Sequence, residues 1–360
     1  MWSLLAEALV FSAKKGAYMS PSVTGQFELG NFALQSNAIL ENAFIGFRSY
    51  GSLNNARDNV IVFPTWYTGT NDQVDPYVGV GKALDPEKYF IVVPDMFTNG
   101  FSSSPSNTPD PHHALDFPLV TPFDNVVAQR RLLEEHFGIT AVELMVGFSM
   151  SGQQAYHWAA LHSDLVRRAC SICGSARTSP HNRAMLHAYK AAMEASFEWR
   201  EKNCQQWDPK VMSVISSIGA TMAMSQDWYR EGLHLTDEVK DVVDVIGNIK
   251  NLFQSWVPAN LYAQTLTWMS ADVSKNSIFN SDLESALRAI DIPFLMLPCE
   301  TDMYFRVEDN EAELPFIPLG KLNIIHSKSG HMAGLPGFSL EDDAFINGQL
   351  TDFLQIPCSN

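Results

Sequence analysis

The chain has 360 residues, of which 46% are apolar and 18% charged, which is enough apolar material for a large globular core. Its 40 acidic and 24 basic residues give a net charge of −16, which argues against nucleic acid and membrane surfaces as main partners, because both require basic patches. The five cysteines are odd in number and irregularly spaced, so we expect a reducing compartment and a cytoplasmic protein.

Residues 1–10 form a mostly apolar stretch that Glu7 interrupts, too short for a membrane span and poor as a signal peptide, so we expect a short helix packed on the domain. Beyond them, six apolar runs separated by helical stretches predict strands. They are continuously apolar rather than alternating, which is typical of a parallel sheet covered on both faces. The runs are residues 59–64, 89–94, 142–147, 168–172, 292–298 and 322–326.

A helix is predicted from residue 121 onward, before the third run. Thr121 is a capping residue, Pro122 suits the first helical position, and Asp124 places an acid in the first turn. Gly138 ends this helix shortly before the strand. The preceding loop, residues 97–118, is rich in Ser, Asn and Pro and long for a compact domain, so we expect it to line the site.

The sequence GFSMSG at residues 147–152 joins the third run to a helical stretch. A serine on such a strand-to-helix turn has a strained backbone, and its neighbours two positions away must be small. Ser151 stands where the usual G-x-S-x-G pattern has its second glycine, and serine is still small enough for the turn. By position alone, Ser149 is either an exposed nucleophile or a buried structural residue.

Between residues 176 and 289 the strand signals disappear and apolar residues recur at helical spacing, as at Leu186, Tyr189, Met193 and Phe197. An all-helical insertion in a parallel-sheet domain predicts a lid over a binding cleft. We therefore divide the chain into a core domain, residues 1–175 plus 290–360, and a helical lid, residues 176–289. The lid is rich in aromatic and methionine side chains, which suits an apolar substrate but is also common in plain core. These side chains include Phe253, Trp256, Tyr262, Trp268 and Met269.

A serine nucleophile requires an imidazole to take its proton and a carboxylate to orient that imidazole. Asp302 follows the fifth run and His331 follows the sixth, so both lie in loops at the carboxyl ends of predicted strands. Ser149 lies at the same edge, where open parallel sheets bind their ligands. The sequence therefore predicts a triad of Ser149, Asp302 and His331, which favours the nucleophile over a structural serine.

Other residue types near these positions have competing interpretations. Glu300 is an alternative to Asp302, but it lies nearer the strand end, and Asp302 is favoured. His326 falls inside a strand pattern and is interpreted as a packed core residue. The adjacent pair His112 and His113 lacks further ligands at metal-binding spacing, so no metal is expected. Cys170 and Cys173 lie at a strand end without a redox context and are interpreted as buried thiols.

The developing oxyanion requires backbone donors near the nucleophile. One is the N–H of Met150, directly after Ser149. The other comes from the loop after the first run, residues 63–70, in which Gly69 allows a tight turn. Tyr67 or its neighbour Trp66 would supply this second N–H.

Several motifs accompany the proposed triad. They are GKALD at residues 81–85, a D-F-P…D-x-V-x-x-Q…G-I block at 116–139, the elbow at 147–152, ETDMYF at 300–305 and GHMAG at 330–334. As a set they resemble the homoserine O-acetyltransferase branch of the α/β-hydrolase superfamily, over roughly residues 40–350. The resemblance implies an α/β-hydrolase fold: a mostly parallel, eight-stranded sheet flanked by helices, with an inserted all-helical lid.

By this resemblance, Ser149, Asp302 and His331 form the catalytic triad, and Tyr67 and Met150 form the oxyanion hole. The implied reaction is ping-pong acyl transfer through an acyl-serine, with acyl-CoA or a carrier-protein thioester as donor and an alcohol as acceptor. It needs no cofactor. The family also tends to dimerise through lid helices, so a homodimer is an expectation, and an acyl carrier protein is a candidate partner.

Two departures bear on the substrate. Homoserine acetyltransferases have glycine at the position of Ser151 and a lid arginine that binds the amino-acid carboxylate, whereas Arg230 lies in a context that does not match. Homoserine is therefore not the expected acceptor, and Trp66, Ser151 and Trp268 are candidate substrate contacts. Acyl transfer, in secondary metabolism, is favoured over release of an acyl chain by hydrolysis or lactone formation. A non-catalytic binding protein is the remaining alternative.

Overall fold

The computed structural model describes residues 21–196 and 205–357, and a single eight-stranded sheet runs through them in the order β1-β2-β4-β3-β5-β6-β7-β8. The strands from β3 to β8 pair in parallel, whereas β1 pairs antiparallel with β2, and β2 antiparallel with β4. The predicted mostly parallel, eight-stranded sheet is confirmed. The strands are β1 (Ser22–Ala33), β2 (Ile39–Tyr50), β3 (Val60–Val62), β4 (Phe90–Pro94), β5 (Leu144–Phe148), β6 (Ala169–Ile172), β7 (Phe294–Leu297) and β8 (Gly320–Leu322).

The six apolar runs locate the parallel strands but miss the β1–β2 hairpin. β1 lies at the sheet edge and buries few side chains, among them Leu29 and Phe32, so no apolar run marks it. The last strand is also shifted, because β8 ends at Leu322 and the predicted run continued to residue 326. Beyond Leu322 the two segments are joined by the bond from the Asn323 N–H to the Met296 carbonyl at 3.0 Å and by an isolated bridge between Cys299 and Ile325.

Helices cover both faces of the sheet. Successive strand residues point to opposite faces, so Val60 and Val62 join one buried cluster and Ile61 joins the other. The first cluster is completed by α1 and α2, and the second by α10 and the lid. The helices are α1 (Pro122–Arg131), α2 (Met150–Leu161), α3 (Pro180–Ala195), α4 (Pro209–Ala223), α5 (Gln226–Arg230), α6 (Val242–Gln254), α7 (Pro258–Ser270), α8 (Leu283–Arg288), α9 (Val307–Glu313) and α10 (Leu340–Leu354).

The start of α1 agrees with its sequence signals. Thr121 Oγ1 accepts from the Asp124 N–H at 3.4 Å, and Asp124 Oδ2 accepts from the Thr121 N–H at 2.7 Å, which forms a capping box. Regular helix ends at Arg131 and is followed by a wider turn. Gly138 then takes a φ of +62°, a value that favours glycine, and the chain leaves toward β5.

The described residues between β6 and β7 form helices α3 to α8 and no sheet strand. α8 lies at the end of the predicted lid. Its residues Ala286 and Leu287 are buried with α2 in the cluster that contains Val60 and Val62. No described helix combines the length and apolar character needed to cross a bilayer. The predicted helix at residues 1–10, and the lid residues Phe197 and Trp199, lie outside the described residues.

The loop at residues 97–118 does not line the cavity described below, so that expectation was wrong. The loop supports α7 from the outside. Asn260 on α7 accepts from the Ser106 N–H at 3.0 Å and donates to Ser106 Oγ at 2.8 Å. Its length therefore serves to hold a lid helix in place.

A buried carboxylate joins the base of the lid to the core. Glu313 on α9 accepts hydrogen bonds from the Tyr156 hydroxyl at 2.6 Å, the Asn310 amide at 3.0 Å and the Ala176 N–H at 2.9 Å. Ala176 is the first residue of the predicted lid. Burial raises the pKa of Glu313 from its ordinary 4.5 to about 7.

This raised pKa predicts a pH-dependent stability. Because folded Glu313 keeps its proton up to about pH 7 and the unfolded side chain loses it near 4.5, its contribution to stability is lost as the pH rises through that window. We expect Glu313→Gln to gain about 2–3 kcal/mol in unfolding free energy relative to the wild type between pH 5 and pH 8. Urea denaturation at both pH values measures this difference.

The exposed neighbour Glu311→Gln is the matched control and should follow the wild type at both pH values. If Glu313→Gln and the wild type lose stability in parallel, Glu313 is not the group that titrates.

Candidate active site

Ser149 occupies the turn between β5, which ends at Phe148, and α2, which begins at Met150. Its backbone has φ 59° and ψ −126°, a strained conformation for a residue with a side chain. The Ser149 N–H donates to the Ile172 carbonyl at 2.9 Å and fixes the turn to β6. A Cβ on Gly147 would lie 2.3 Å from the Ser151 backbone, so the tight turn requires glycine there.

Ser151 faces away from the cleft. Its hydroxyl lies toward the Cα of Gly147, where an added Cβ would be 2.3 Å from it, and it does not line the cavity. The side chain is fully buried, and its oxygen has no hydrogen-bond partner among the described residues. The predicted substrate contact at Ser151 is therefore wrong, because the helical turn points this side chain back into the elbow.

The three predicted triad residues form one hydrogen-bonded line. His331 Nε2 lies 2.9 Å from Ser149 Oγ, and His331 Nδ1 lies 2.7 Å from Asp302 Oδ2. Asp302 is fully buried, and its other oxygen accepts from the backbone N–H groups of Tyr304 at 2.7 Å and Phe305 at 3.2 Å. A carboxylate held in this way fixes the imidazole with its proton on Nδ1, which leaves Nε2 to accept the serine proton.

Thr301 fastens the two loops that carry Asp302 and His331. Its hydroxyl donates to the Ser327 carbonyl at 2.7 Å and accepts from the Gly330 N–H at 3.1 Å. Gly330 has a φ of +67°, and a Cβ there would lie 2.7 Å from the lid backbone at Ser225, so the loop before His331 requires glycine.

The competing acid and base pair with each other instead. Glu300 Oε2 lies 2.7 Å from His326 Nδ1 on the surface, and neither side chain reaches Ser149. The His326 side chain is 73% exposed, so its interpretation as a core residue was wrong. The cause is the early end of β8, which turns position 326 outward.

One group of described side chains has the spacing of a metal site. Ligand atoms of Cys173, Asp302 and His331 lie within 4.8 Å of one another, and neither His112 nor His113 belongs to this group. Both nitrogens of His331 are already bonded within the triad. Burial raises the pKa of the Cys173 thiol well above its ordinary value, so the thiol stays protonated, which disfavours metal binding. The geometry therefore fits a triad better than a metal centre.

Tyr67 lies on the loop after β3, where it lines the same cavity as Ser149 and contacts the lid. The next N–H, of Thr68, donates to Oε1 of Gln264 on α7 at 2.9 Å, and the Gln264 amide donates to the Thr98 carbonyl at 3.3 Å. Thr68 has a φ of 60°, which costs energy in a residue with a branched side chain and needs support from outside the loop. Gln264 supplies this support from a fully buried position. Within the described chain, the N–H groups of Tyr67 and Met150 meet no acceptor.

A cavity of about 340 Å³ opens onto Ser149 and His331 between the core and the lid. Its wall is mainly aromatic and aliphatic, and the carboxylates of Asp72 and Asp75 lie along it. Asp72 is exposed, whereas Asp75 is held by Arg48 at 3.5 Å. The lid side of the wall consists of Tyr189, Gly219, Ala223, Ile249, Leu252, Phe253 and Trp268.

Two of the candidate substrate contacts, Trp66 and Trp268, line this cavity. Arg230 does not; its side chain is 68% exposed and paired with Asp227 on the lid surface. Two phenols, Tyr189 and Tyr304, line the cavity without having been singled out. Tyr304 belongs to the ETDMYF motif, which was a usable signal, whereas the helical spacing around Tyr189 indicated only a buried residue.

This combination of a covered parallel sheet, a strained serine after β5, and an aspartate and a histidine after β7 and β8 defines the α/β-hydrolase fold. Residues 58–338 match the family model described as the alpha/beta hydrolase fold. The chain belongs to this family, in the branch that resembles the homoserine O-acetyltransferases, and is an enzyme of the superfamily.

Known relatives include both hydrolases and transferases. The chain is 33% identical to a probable esterase of Corynebacterium glutamicum, over 88% of this chain and 92% of that protein. It is 31% identical to an ethyl acetate hydrolase of Pseudomonas veronii, over 95% and 99%. It is 27% identical to a homoserine O-acetyltransferase of Trichormus variabilis, over 88% and 90%. The crystal structure of an acetylester hydrolase from Corynebacterium glutamicum superposes with a TM-score of 0.85 at 31% identity, over 93% and 96%.

The orientation of Ser151 predicts that it affects stability and not selectivity. We expect Ser151→Ala to raise the unfolding free energy by about 1 kcal/mol, because it removes a buried hydroxyl without a partner. The ratio of kcat/KM for a short and a longer acyl substrate should not change. Urea denaturation and initial rates measure the two effects, and Trp66→Ala, which alters the cavity wall, is the contrasting variant. A selectivity change in Ser151→Ala as large as that in Trp66→Ala would place the hydroxyl in the substrate site after all.

Proposed function

We propose that the protein is a serine esterase that hydrolyses small, uncharged esters through an acyl-serine intermediate. The observation that carries this proposal is the character of the cavity wall: apolar around Ser149, with acidic rather than basic charge along it. The nucleophile, base and orienting acid are Ser149, His331 and Asp302, joined at hydrogen-bond distances. Tyr67 and Met150 supply the oxyanion donors.

In the first half of the reaction, Ser149 Oγ attacks the ester carbonyl and passes its proton to His331 Nε2. The carbonyl oxygen gains negative charge and accepts from the N–H groups of Met150 and Tyr67. Asp302 stabilises the imidazolium through Nδ1. When the tetrahedral intermediate collapses, the C–O bond to the alcohol breaks, and the alcohol leaves with the proton from His331.

In the second half, water attacks the acyl-serine and His331 Nε2 takes one of its protons. Collapse of this intermediate breaks the bond to Ser149 Oγ, which recovers its proton from His331, and the carboxylic acid is released. The choice of water over an alcohol depends on which acceptor the cavity can hold.

The charges of the cavity favour water and neutral substrates. A coenzyme A donor carries several phosphate charges, and an amino-acid acceptor carries a carboxylate, and both require cationic partners. The described lining residues include no lysine or arginine, and the exposed Asp72 would repel both groups. The named relatives at 33% and 31% identity, an esterase and an ethyl acetate hydrolase, support the same proposal.

Acyl transfer from a thioester, which the sequence favoured, remains the second candidate, because relatives at 27% identity are named as homoserine acetyltransferases. The carrier-protein partner, the homodimer through the lid and the cytoplasmic location stay predictions.

Incubating the protein with ethyl and butyl acetate, and separately with acetyl-CoA plus candidate alcohols, tests the proposal. We expect release of acetic acid from the esters and no alcohol-dependent consumption of acetyl-CoA. Titration of acid measures the first reaction, and titration of free thiol measures the second. Ser149→Ala should lower ester hydrolysis by about 10⁴-fold or more, and its mass spectrum should lack the acyl adduct seen on the wild type. Ester formation from acetyl-CoA that outpaces acid release would replace hydrolysis by transfer.

The contact between Gln264 and Thr68 predicts that the lid supports the oxyanion hole. We expect Gln264→Leu to lower kcat by about 10-fold to 100-fold with little change in KM, because the N–H of Tyr67 loses its alignment with the developing charge. Gln264→Glu keeps an acceptor for the Thr68 N–H and should retain more of kcat. Steady-state kinetics on butyl acetate measure both variants. Equal losses in the two variants, or a change confined to KM, would contradict this role.

A further inference from the structure

The cavity wall has polar groups that the proposed reaction does not use. Tyr189 and Tyr304 line a cavity that is otherwise mostly apolar on the lid side, and only 2% and 6% of their surfaces are exposed. The Tyr189 hydroxyl reaches deep between the lid helices, 3.1 Å from where a Cβ on Gly219 would lie. Phenols in such a position are costly unless their hydroxyls bind something.

The phenol hydroxyls near the cavity have one more proton than the described acceptors can bind. The Thr265 hydroxyl donates to the Leu261 carbonyl at 2.9 Å, so the contact of 3.3 Å between Thr265 and Tyr67 uses the proton of Tyr67. The Tyr189 and Tyr304 hydroxyls interact with each other, and that contact can use only one of their two protons. The other proton of this pair, which rotation of the two hydroxyls can leave on Tyr304, has no acceptor in residues 21–196 and 205–357.

A second unused donor belongs to Trp268, whose ring packs against that of Tyr304. The indole Nε1–H of Trp268 is buried and meets no acceptor in the described part of the chain. The rings of Trp268 and Tyr304 pack edge to face at 5.3 Å, and Tyr304 packs edge to face on His331 at 4.9 Å. An unmatched buried donor costs about 1–3 kcal/mol, so the Trp268 indole, together with the spare phenol proton at the cavity wall, points to a bound acceptor.

We propose that the Tyr304 hydroxyl and the Trp268 indole bind a second oxygen of the substrate, separated by a few atoms from the ester carbonyl. This inference rests on the proposed function and narrows its substrate class to short esters that carry an ether, ketone or hydroxyl oxygen. Both groups donate and neither is charged, so the substrate oxygen that accepts from them belongs to a neutral group rather than to a carboxylate paired with a cation. Burial raises the pKa of Tyr304, which keeps its proton on the oxygen at any working pH.

Pairs of esters that differ by one atom test this site. 2-Methoxyethyl acetate and butyl acetate differ by an oxygen in place of a methylene on the alcohol side. Phenyl methoxyacetate and phenyl butanoate differ in the same way on the acid side. For each pair, we take kcat/KM for the oxygen-containing ester divided by kcat/KM for its methylene counterpart. Dividing this ratio in a variant by the same ratio in the wild type cancels the intrinsic reactivity of the esters.

We expect Tyr304→Phe to lower this ratio by roughly fivefold for one of the two pairs, because a neutral hydrogen bond of about 1 kcal/mol is lost. The affected pair identifies the side of the ester that carries the oxygen. Trp268→Phe should act on the same pair. Tyr229→Phe is the control, since that hydroxyl donates to the Ala220 carbonyl at 2.6 Å and lies outside the cavity.

If the ratios stay at the wild-type value in both Tyr304→Phe and Trp268→Phe while all esters are still cleaved, the proposed oxygen site is wrong. The proposed esterase activity is not contradicted by that result. Binding of the same pairs to Ser149→Ala, followed by ligand-observed NMR, tests the site without turnover. A preference for the ether that disappears when Tyr304→Phe is added supports the site even if the wild type hydrolyses none of the esters. No preference in Ser149→Ala contradicts it.

Discussion

The strained backbone of Ser149 is the constraint on which the rest of the site depends. A φ of 59° in a residue with a side chain persists only where the surroundings leave no alternative. Here the Ile172 carbonyl holds the serine N–H, and Gly147 lets the first turn of α2 pass within contact distance. The same turn frees the N–H of Met150. One local conformation thus presents a hydroxyl and the proposed oxyanion donor at the same point.

The partners of Ser149 could be predicted because they depend on topology. Parallel strands end at one edge of the sheet, so loops after β7 and β8 must meet the turn after β5, whatever the details of the chain between them. Asp302 and His331 were found on this basis, and their distances of 2.7 and 2.9 Å come from loop contacts such as those of Thr301. Continuous apolar runs located the parallel strands for the same physical reason, burial on both faces.

The features that the sequence did not predict are the strands at the edges of the sheet and the directions of single side chains. β1 is mostly exposed and carries no apolar run, and β8 ends early enough to turn His326 into solvent. Ser151 could be placed in the elbow but not oriented, because one residue of helix decides whether a side chain faces the cleft or Gly147. Tyr189 illustrates the same difficulty, since helical spacing cannot separate a core phenol from one that lines a cavity.

The lid contacts the core beside the proposed reaction centre and does not only cover the cavity. α7 contributes Trp268 to the cavity wall and binds the loop that carries Tyr67 through Gln264, so one helix shapes the cavity and also holds the loop of the proposed oxyanion donor. The loop at residues 97–118 in turn fixes α7 through Asn260. A change of acceptor or acyl group within this branch therefore need not alter the triad. It needs only different side chains on the lid face, which accounts for hydrolases and transferases among relatives that share one fold.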